Sequence, residues 1–398
     1  MVTLGVRVST KQRGLGPWLK AEFQQLGPTF IKIGQFISSR RDIFGEELSA
    51  SFADLQDRVA PLDSAGAQEM LGCLRQRAGA RIIEIDAEPF AAASIGQLHR
   101  AVTADGRTLA VKLKRPGIER ILRSDLDMLR GMANVMVAAG VENGQSTVDL
   151  LEEIAAFLVA ETDFISEVRN IQHFGQVYAE NGEVQVPRVM PELSCKRIIV
   201  MEYVPDMGLA TDRKGRALQA RQLMTFFVQQ VIDTGIIHGD PHPGNIGFSA
   251  AGKVVLYDFG NMITMTREER FAIKELVYLL AAGNTEEIIA LLPAVGVTVV
   301  DAEGVRAYIA AYLQYVRTLD IGVFSEVVGT SNTRLPLVYS GRIFRVLRVF
   351  GTLEGMCKEL DPAFNYFTLL DTMASSLVLD EEFLMHKVTK DLKRVLGG

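Results

Sequence analysis

Cysteine is scarce in this chain of 398 residues, and the three cysteines that occur are far apart. Cys73, Cys195 and Cys357 form no CxxC pair and no Cys/His ligand spacing, which argues against a zinc site or a disulfide framework and fits a reducing compartment. Long uncharged hydrophobic runs are lacking too, and the first residues have no apolar core of a secretory signal. We therefore expect a protein of the cytoplasm or an organelle interior, soluble or peripherally attached to a membrane.

A strong charge excess and low-complexity tracts are also missing. The formal net charge is -6 and no basic stripe occurs, so we do not expect nucleic acid as a partner. What is present is a chain in which 48% of the residues are hydrophobic, long enough for several domains with large cores. The composition therefore predicts a multi-domain globular protein.

The hydrophobic periodicity changes along the chain, from helical to β-like and back. Residues 1–80 are predicted to be helical, with a break at Gly27-Pro28. From Arg81 the alternation is typical of strands, and Asp105-Gly106 marks a tight hairpin in a small antiparallel sheet. The elements predicted after this hairpin are two long helices, a buried strand and a mostly helical remainder, over Ile118–Ala139, Thr147–Asn181, 197–204 and 206–398.

The stretch HGDPHPGN, from His238 to Asn245, combines stiffening residues with polar side chains. Two short strands joined by a turn then return the chain to DFG, so Asp258 should lie close to Asp240 and Asn245. Carboxylate and amide oxygens suit a hard cation such as Mg²⁺, which completes its octahedron with waters and substrate phosphates. The loop is stiff, on this interpretation, because it holds ligands in place; the alternative is an ordinary turn with Asx caps.

Lys112 lies in the strand TLAVKL, where the alternation places it on the same face as the small Ala110. Such an amine leaves room for a flat base over the alanine and points its charge toward the phosphates of the same ligand. It needs an acidic partner, and the following helix offers Glu161, Asp163 and Glu167. If that helix is continuous, Asp163 and Glu167 are i,i+4 neighbours whose repulsion a cation would relieve. The alternative for these acids is a solvated helix face.

Several motifs in this order resemble the protein-kinase-like fold and, more closely, the ABC1 family of atypical kinases, also called the UbiB or ADCK family. The resemblance rests on VKLKRPGI, MEYV and DFG together with four longer motifs, which span well over half of the chain. These are LGPTFIKIGQFISSRRD (Leu26 to Asp42), AAASIGQLHRA (Ala91 to Ala101), ETDFISEVRN (Glu161 to Asn170) and HGDPHPGN. Four long motifs in the right order are very unlikely to coincide by chance.

The resemblance implies an α+β, bilobal protein-kinase-like fold. Residues 1–80 would form a helical extension, 81–205 the N-lobe and 206–398 a mostly helical C-lobe. Within it, Lys112 would contact the nucleotide phosphates and pair with Glu167, and Asp240 would be the catalytic aspartate. The resemblance implies that Asp258 and Asn245 bind Mg²⁺. It also implies that two further acids, Glu161 and Asp163, lie near the metal.

The resemblance also implies a nucleotide pocket that differs from that of ordinary kinases. Lys32 and Gln35 match a KxGQ motif whose helix folds across the active site, and Glu202 and Tyr203 would line the nucleotide at the hinge. The glycine-rich loop is replaced by Ala91, Ala92, Ala93 and Ser94. Because alanine restricts positive φ values, phosphate binding should differ from that of ordinary kinases. The resemblance implies that nucleotide preference shifts toward ADP.

The function implied is binding of ATP or ADP with Mg²⁺, followed by hydrolysis or transfer to a small or lipid-like acceptor. The family also implies a role in isoprenoid quinone or prenyl-lipid metabolism at a membrane surface, with quinone-biosynthesis proteins as partners. Two alternatives remain open from the sequence. One is a pseudokinase that uses nucleotide as a conformational switch, and the other is a small-molecule kinase of the aminoglycoside or choline type.

Overall fold

The computed structural model describes most of the chain: residues 15–38, 44–52, 62, 64–92, 94–140, 144–318, 337–365, 377 and 380–396. Its helices are α1 (Leu15–Leu26), α2 (Pro28–Ser38), α3 (Glu46–Phe52), α4 (Ser64–Ala78), α5 (Ile118–Ala138), α6 (Gly144–Glu161), α7 (Phe164–Val177), α8 (Arg213–Gln229), α9 (Arg267–Ala282), α10 (Thr285–Leu291), α11 (Ala302–Thr318), α12 (Gly341–Leu360) and α13 (Glu381–Leu396). Within the described residues, no helix has both the length and the apolarity needed to cross a bilayer.

The strands form one antiparallel sheet near the N-terminal end and small sheets further on. They are β1 (Ile82–Ile85), β2 (Ala91–Ala92), β3 (Gly96–Thr103), β4 (Thr108–Lys114), β5 (Val184–Gln185), β6 (Ile198–Glu202), β7 (Ile236–His238), β8 (Ile246–Phe248), β9 (Val254–Leu256), β10 (Met262–Thr264), β11 (Val297–Val299) and β12 (Leu337–Tyr339). The first sheet has the order β1-β3-β4-β6, with β2 beside β3. The predicted hairpin is confirmed, because β3 and β4 pair around Gly106, whose φ is 81°.

The alternation in β4 separates two cores, as its sequence predicts. Leu109, Val111 and Leu113 are buried in the cluster that covers the outer face of the sheet, together with residues of α4 such as Met70 and Leu74. Ala110, on the opposite face, belongs to the larger core shared with the C-lobe. Lys112 lies on this second face, which looks into the cleft between the lobes.

The described part of residues 1–80 packs at two separate places. Helix α4 covers the sheet, whereas α2 packs against α5 and α6, with Phe30 and Phe36 buried beside Leu122 and Leu158. Gly27, with a φ of 105°, separates α1 from α2, which confirms the predicted break at Gly27-Pro28. These helices therefore share cores with the N-lobe.

The C-lobe is mainly helical and holds the site in a short β-rich insertion between α8 and α9. Strands β7 and β10 pair antiparallel, and β8 and β9 form a hairpin that also pairs with β5. The core beneath them is aromatic, with Phe226, Phe227 and Phe259 at most 1% exposed. A rigid aromatic base therefore supports the loops that leave these strands.

The segment from Thr147 to Asn181, which carries Glu161, Asp163 and Glu167, was predicted as one helix, and this prediction is wrong. The helical segment begins earlier, at Gly144, and is divided into α6 and α7. The side chain of Asp163 caps α7 by accepting a hydrogen bond from the Ser166 backbone N–H at 3.1 Å, and its own φ and ψ of -87° and 78° are not helical. Asp163 and Glu167 are therefore not i,i+4 neighbours within one helix.

Candidate active site

Lys112 lies at the centre of the cleft and contacts two carboxylates. Its Nζ donates to Glu167 Oε1 at 2.7 Å, to Glu167 Oε2 at 3.0 Å and to Asp258 Oδ2 at 3.0 Å. Strand β4 supplies the lysine, α7 the glutamate and the DFG turn the aspartate. The structure thus brings together three predicted residues that are up to 146 positions apart.

The charges of Lys112, Glu167 and Asp258 shift one another's pKa values. Burial opposes the charge of Lys112, but Asp258 and Glu167 hold the pKa of the amine above its ordinary value. Burial also works against the charge of Asp258, yet Lys112 and the Gly260 N–H hold the pKa of this carboxyl well below its usual range. Burial raises the pKa of Glu167 to about 7 despite the facing amine. Asp258 is therefore the carboxylate that stays ionised near neutral pH.

The HGDPHPGN loop is held by hydrogen bonds to its neighbours. The Asp240 N–H donates to His238 Nδ1 at 3.4 Å, and His238 Nε2 faces the Asp258 carbonyl. Asn245 Nδ2 donates to the Asp240 carbonyl at 3.2 Å, so the amide oxygen is the atom of Asn245 that could bind a cation. Burial lowers the pKa of His238, so a neutral ring links the aspartate loop to the DFG turn.

Gly239 fits only because it has no side chain. An added Cβ would lie 2.9 Å from both the backbone and side-chain oxygens of Asn261. The Gly239 N–H donates to the Asn261 carbonyl at 2.8 Å, and its own carbonyl accepts from Arg348 at 2.9 Å. The residue before Asp240 is thus held on both sides.

Helix α2 closes the site from a third direction. Lys32 Nζ lies 2.8 Å from Glu161 Oε2, and both side chains are nearly buried. Burial raises the pKa of Glu161 to about 7; Lys32 opposes this shift, while Asp240 and Asp258 add to it. Gln35 lies one turn further along the same helix. Glu161 therefore lies close to the carboxylates of Asp240 and Asp258.

Asp163 lies apart from this cluster. Its side chain is exposed and is occupied by Ser166, whose hydroxyl donates at 2.6 Å and whose N–H donates at 3.1 Å. These bonds lower the pKa of Asp163. The structure gives it the role of an N-cap, which fixes the start of the helix that carries Glu167.

The predicted nucleotide-binding loop is partly described. Ala91 and Ala92 form β2, Ser94 is fully buried with a hydroxyl that has no hydrogen-bond partner, and Ala93 lies outside the described residues. Strands β3 and β4 approach so closely just beyond this loop that a Cβ on Gly96 would lie 2.4 Å from the Leu113 carbonyl oxygen. The Ser94 hydroxyl is thus a buried polar group whose hydrogen-bonding capacity is not used in this structure.

The hinge residues occupy the end of the sheet. Glu202 is exposed and accepts from the Arg188 N–H at 3.3 Å. Tyr203 packs edge-on against Phe90, with ring centroids 5.5 Å apart, and its hydroxyl accepts from Arg100 at 3.2 Å. The Tyr203 ring is therefore fixed at the outer mouth of the cleft.

Three supporting residues were not predicted. Asn170 donates to the Phe259 carbonyl at 2.8 Å, Lys114 donates to the Thr162 carbonyl at 2.5 Å, and Arg348 reaches Gly239 from α12. Asn170 lies in the motif ETDFISEVRN and Lys114 in VKLKRPGI, so these motifs could have pointed to both residues. Arg348 lies in the region after Arg270, where the sequence has no recognisable motif.

The donor set suits Mg²⁺ bound together with phosphate. Within the described stretches, no group of three His, Cys, Asp or Glu side chains could enclose a metal ion by itself. Asp258 and Asn245 supply one ionised carboxylate and one amide oxygen. Mg²⁺ commonly takes one or two carboxylates and completes its coordination with waters and phosphates. The residues present therefore fit such an ion.

The antiparallel N-lobe sheet, the helical C-lobe and the Lys112–Glu167 pair facing Asp258 define a kinase-like α+β protein. Residues 54–292 match the family model described as the ABC1 atypical kinase-like domain. The chain therefore belongs to the ABC1 atypical kinase-like family.

Curated relatives support this assignment. The chain is 30% identical to the chloroplastic ACTIVITY OF BC1 COMPLEX KINASE 7 of Arabidopsis thaliana over 93% of its own length, and spans 55% of that protein. It is 28% identical to ACTIVITY OF BC1 COMPLEX KINASE 8 of the same plant over 96% of its own length, and spans 57% of that relative. The chain thus matches a little over half of these proteins.

A solved structure supports the fold. A Mycobacterium tuberculosis protein whose structure was determined in complex with erythromycin has a TM-score of 0.60, over 83% of this chain and 88% of that one. Its sequence is 22% identical, so the comparison establishes likeness of fold alone.

Proposed function

We propose that this protein binds Mg-ATP in the cleft and transfers the terminal phosphoryl group to a small or lipid-like acceptor or to water. The observation that carries the proposal is the Lys112 ammonium, which lies 2.7 Å from Glu167 and 3.0 Å from Asp258 beside the loop of Asp240. A buried cation paired with a glutamate and facing an ionised aspartate is what phosphate and Mg²⁺ binding require in kinase-like sites.

Each residue has a distinct role in this proposal. Lys112 binds the nucleotide phosphates, and Glu167 holds its amine in place. Asp258 and Asn245 hold Mg²⁺, which would neutralise charge on the phosphates as it does in other phosphoryl-transfer sites. Asp240, in the loop tied to the DFG turn through His238, accepts the proton of the attacking hydroxyl.

Helix α2 argues for a small or lipid-like acceptor. Lys32 on this helix is paired with Glu161. The charge of Asp240 contributes to the raised pKa of Glu161, so the helix covers the side of the cleft that these two acids share. A folded polypeptide substrate would have to displace a helix whose apolar face is buried against α5 and α6. A prenylated phenol or quinone precursor is the acceptor class that the proposal names, presented at a membrane surface.

The first experiment measures phosphate release from Mg-ATP by the purified protein, with and without anionic liposomes that contain a prenylated phenol. We expect turnover that lipid raises and that Asp240→Asn and Asp258→Asn each abolish. Asp301→Asn, the same substitution at an exposed C-lobe position, is the matched control and should leave turnover unchanged.

Two other outcomes would contradict the proposal in different ways. If no phosphate is released but Mg-nucleotide still raises the melting temperature, the protein is a nucleotide-dependent switch. If turnover is unaffected by lipid but rises with soluble amino alcohols or aminoglycosides, the small-molecule kinase alternative is correct and the lipid acceptor is wrong.

A further inference from the structure

Strand β4 carries a second buried lysine, Lys114, that the proposed chemistry does not use. It is 5% exposed and follows Lys112 by two residues, so both side chains leave the same face of the strand. Its Nζ donates to the Thr162 carbonyl at 2.5 Å and to Glu119 Oε1 at 2.9 Å. A nearly buried cation with a backbone carbonyl as its innermost partner serves to hold that backbone.

Thr162 lies at the junction between α6 and α7. The junction places the last residue of α6, Glu161, against Lys32, and it places Glu167 of α7 against Lys112. The Thr162 carbonyl also accepts from the Phe164 N–H at 3.1 Å. Any displacement of this carbonyl would therefore move both glutamates relative to the strand.

Electrostatics favours a lysine at this place. A cation near the C-terminal end of a helix is stabilised by the exposed carbonyl groups there, and α6 ends one residue before Thr162. The buried ring of Phe164 lies between the two lysines, with its centroid 4.8 Å from Lys114 Nζ and 5.3 Å from Lys112 Nζ. Lys114 therefore binds the junction at Thr162 and Lys112 binds Glu167 in the first turn of α7, from positions about 7 Å apart along the strand.

We propose that Lys114 is a positioning residue that fixes the α6–α7 junction on β4 and thereby sets the places of Glu161 and Glu167 around Lys112. Its kinetic consequences rest on the proposed phosphoryl-transfer function, whereas the anchoring itself does not. The lysine acts through the Thr162 carbonyl and does not touch the nucleotide.

The test compares three full-length variants with the wild type. Lys114→Met removes the ammonium but keeps the volume of the stem, and Lys114→Arg restores a cation. Lys196→Met makes the same change at an exposed lysine of the N-lobe and is the matched control. The readouts are hydrogen exchange at the amides of 164–167, the dissociation constant for Mg-nucleotide, and kcat for phosphate release.

We expect Lys114→Met to raise the exchange rate at 164–167 at least tenfold and to leave the hairpin of β3 and β4 unchanged. Its kcat should fall at least tenfold, and Lys114→Arg should recover most of both effects. Lys196→Met should match the wild type. If Lys114→Met does not fold, Lys114→Gln takes its place. Its amide is uncharged and its nitrogen lies one bond closer to the strand than Nζ, so the same changes are expected at a smaller size.

Unchanged exchange at 164–167 overturns the proposal, and so does an equal increase across the whole N-lobe, since that would indicate general destabilisation. If the wild type releases no phosphate, the proposed function fails, and exchange at 164–167 alone decides whether Lys114 anchors the junction. Faster local exchange with an unchanged kcat would show that the anchor has no effect on the glutamates, which also contradicts the proposal.

Discussion

Glu161 should make the protein less stable as the pH rises from about 5 to 8. Its folded pKa is about 7, against an ordinary value of 4.5. Between these values the folded protein retains a proton that the unfolded chain has released, so raising the pH favours unfolding. Each pKa unit corresponds to about 1.4 kcal/mol, so ionised Glu161 should cost the fold about 3 kcal/mol above pH 7.

Glu161→Gln tests this directly, because glutamine resembles the protonated acid and still offers Lys32 an oxygen acceptor. Urea unfolding in buffer free of Mg²⁺ and nucleotide gives the free energy of unfolding at pH 5, 6, 7 and 8. We expect the variant to match the wild type at pH 5 and to exceed it by about 3 kcal/mol at pH 8. Glu167 has a similarly raised pKa, but it is present in both proteins and cancels in the difference.

The control is Glu153→Gln, which makes the same change at an exposed position of α6. Only a gap that opens with pH in Glu161→Gln and not in this control is assigned to Glu161. The reasoning would be refuted if wild type and Glu161→Gln had parallel pH profiles, since Glu161 would then carry the same charge in the folded and unfolded states.

Three further substitutions test the supports of the site. Gly96→Ala places a Cβ 2.4 Å from the Leu113 carbonyl oxygen and should cost about 1 to 3 kcal/mol in urea unfolding, whereas an unchanged midpoint would mean that β3 and β4 are free to separate. Thr266→Ala removes the capping box of α9 and should cost about 1 kcal/mol, while Thr266→Ser should cost almost nothing. Arg348→Ala removes the shorter of two hydrogen bonds to the Gly239 carbonyl, the other being from Asn261 Nδ2 at 3.4 Å. It should lower kcat about tenfold with nucleotide affinity retained, as expected for one charge-assisted hydrogen bond. The exposed Arg345→Ala should have no effect, and equal losses in both variants would contradict the reasoning.

Local patterns predicted the elements whose geometry depends on neighbouring residues. The Asp105-Gly106 hairpin and the two faces of β4 follow from backbone rules that act over two to four residues, and both are confirmed. The division of the acidic helix at Asp163 was missed, because aspartate is compatible with a helical pattern until its side chain is known to cap the next helix.

Long-range support was harder to predict for a different reason. Arg348 lies 109 residues from the carbonyl it binds, and nothing in its local sequence distinguishes it from Arg345, three residues earlier on the same helix. Only the packing of α12 against the C-lobe decides which arginine reaches the loop. The catalytic candidates were identifiable by the resemblance of their motifs, whereas residues that act through backbone carbonyls have no such signature.

The charge balance of the cleft connects the pH prediction with the proposed function. Two cations, Lys32 and Lys112, face four carboxylates, those of Glu161, Glu167, Asp240 and Asp258. Full ionisation would leave a net charge of about -2, and this surplus adds to the burial that is the main cause of the raised pKa of the two glutamates.

A divalent cation held by Asp258 and Asn245 would neutralise that surplus without any proton uptake. Adding Mg²⁺ should therefore reduce the gap between wild type and Glu161→Gln at pH 8 to well under the value of about 3 kcal/mol expected without the ion. The control measures the same gap in the Asp258→Asn background, as the difference between Asp258→Asn and the double variant Asp258→Asn/Glu161→Gln. This gap should respond far less to Mg²⁺. A gap that Mg²⁺ leaves unchanged in the wild-type background would mean that the carboxylates do not share a cation, and the proposed Mg-dependent chemistry would lose its electrostatic basis.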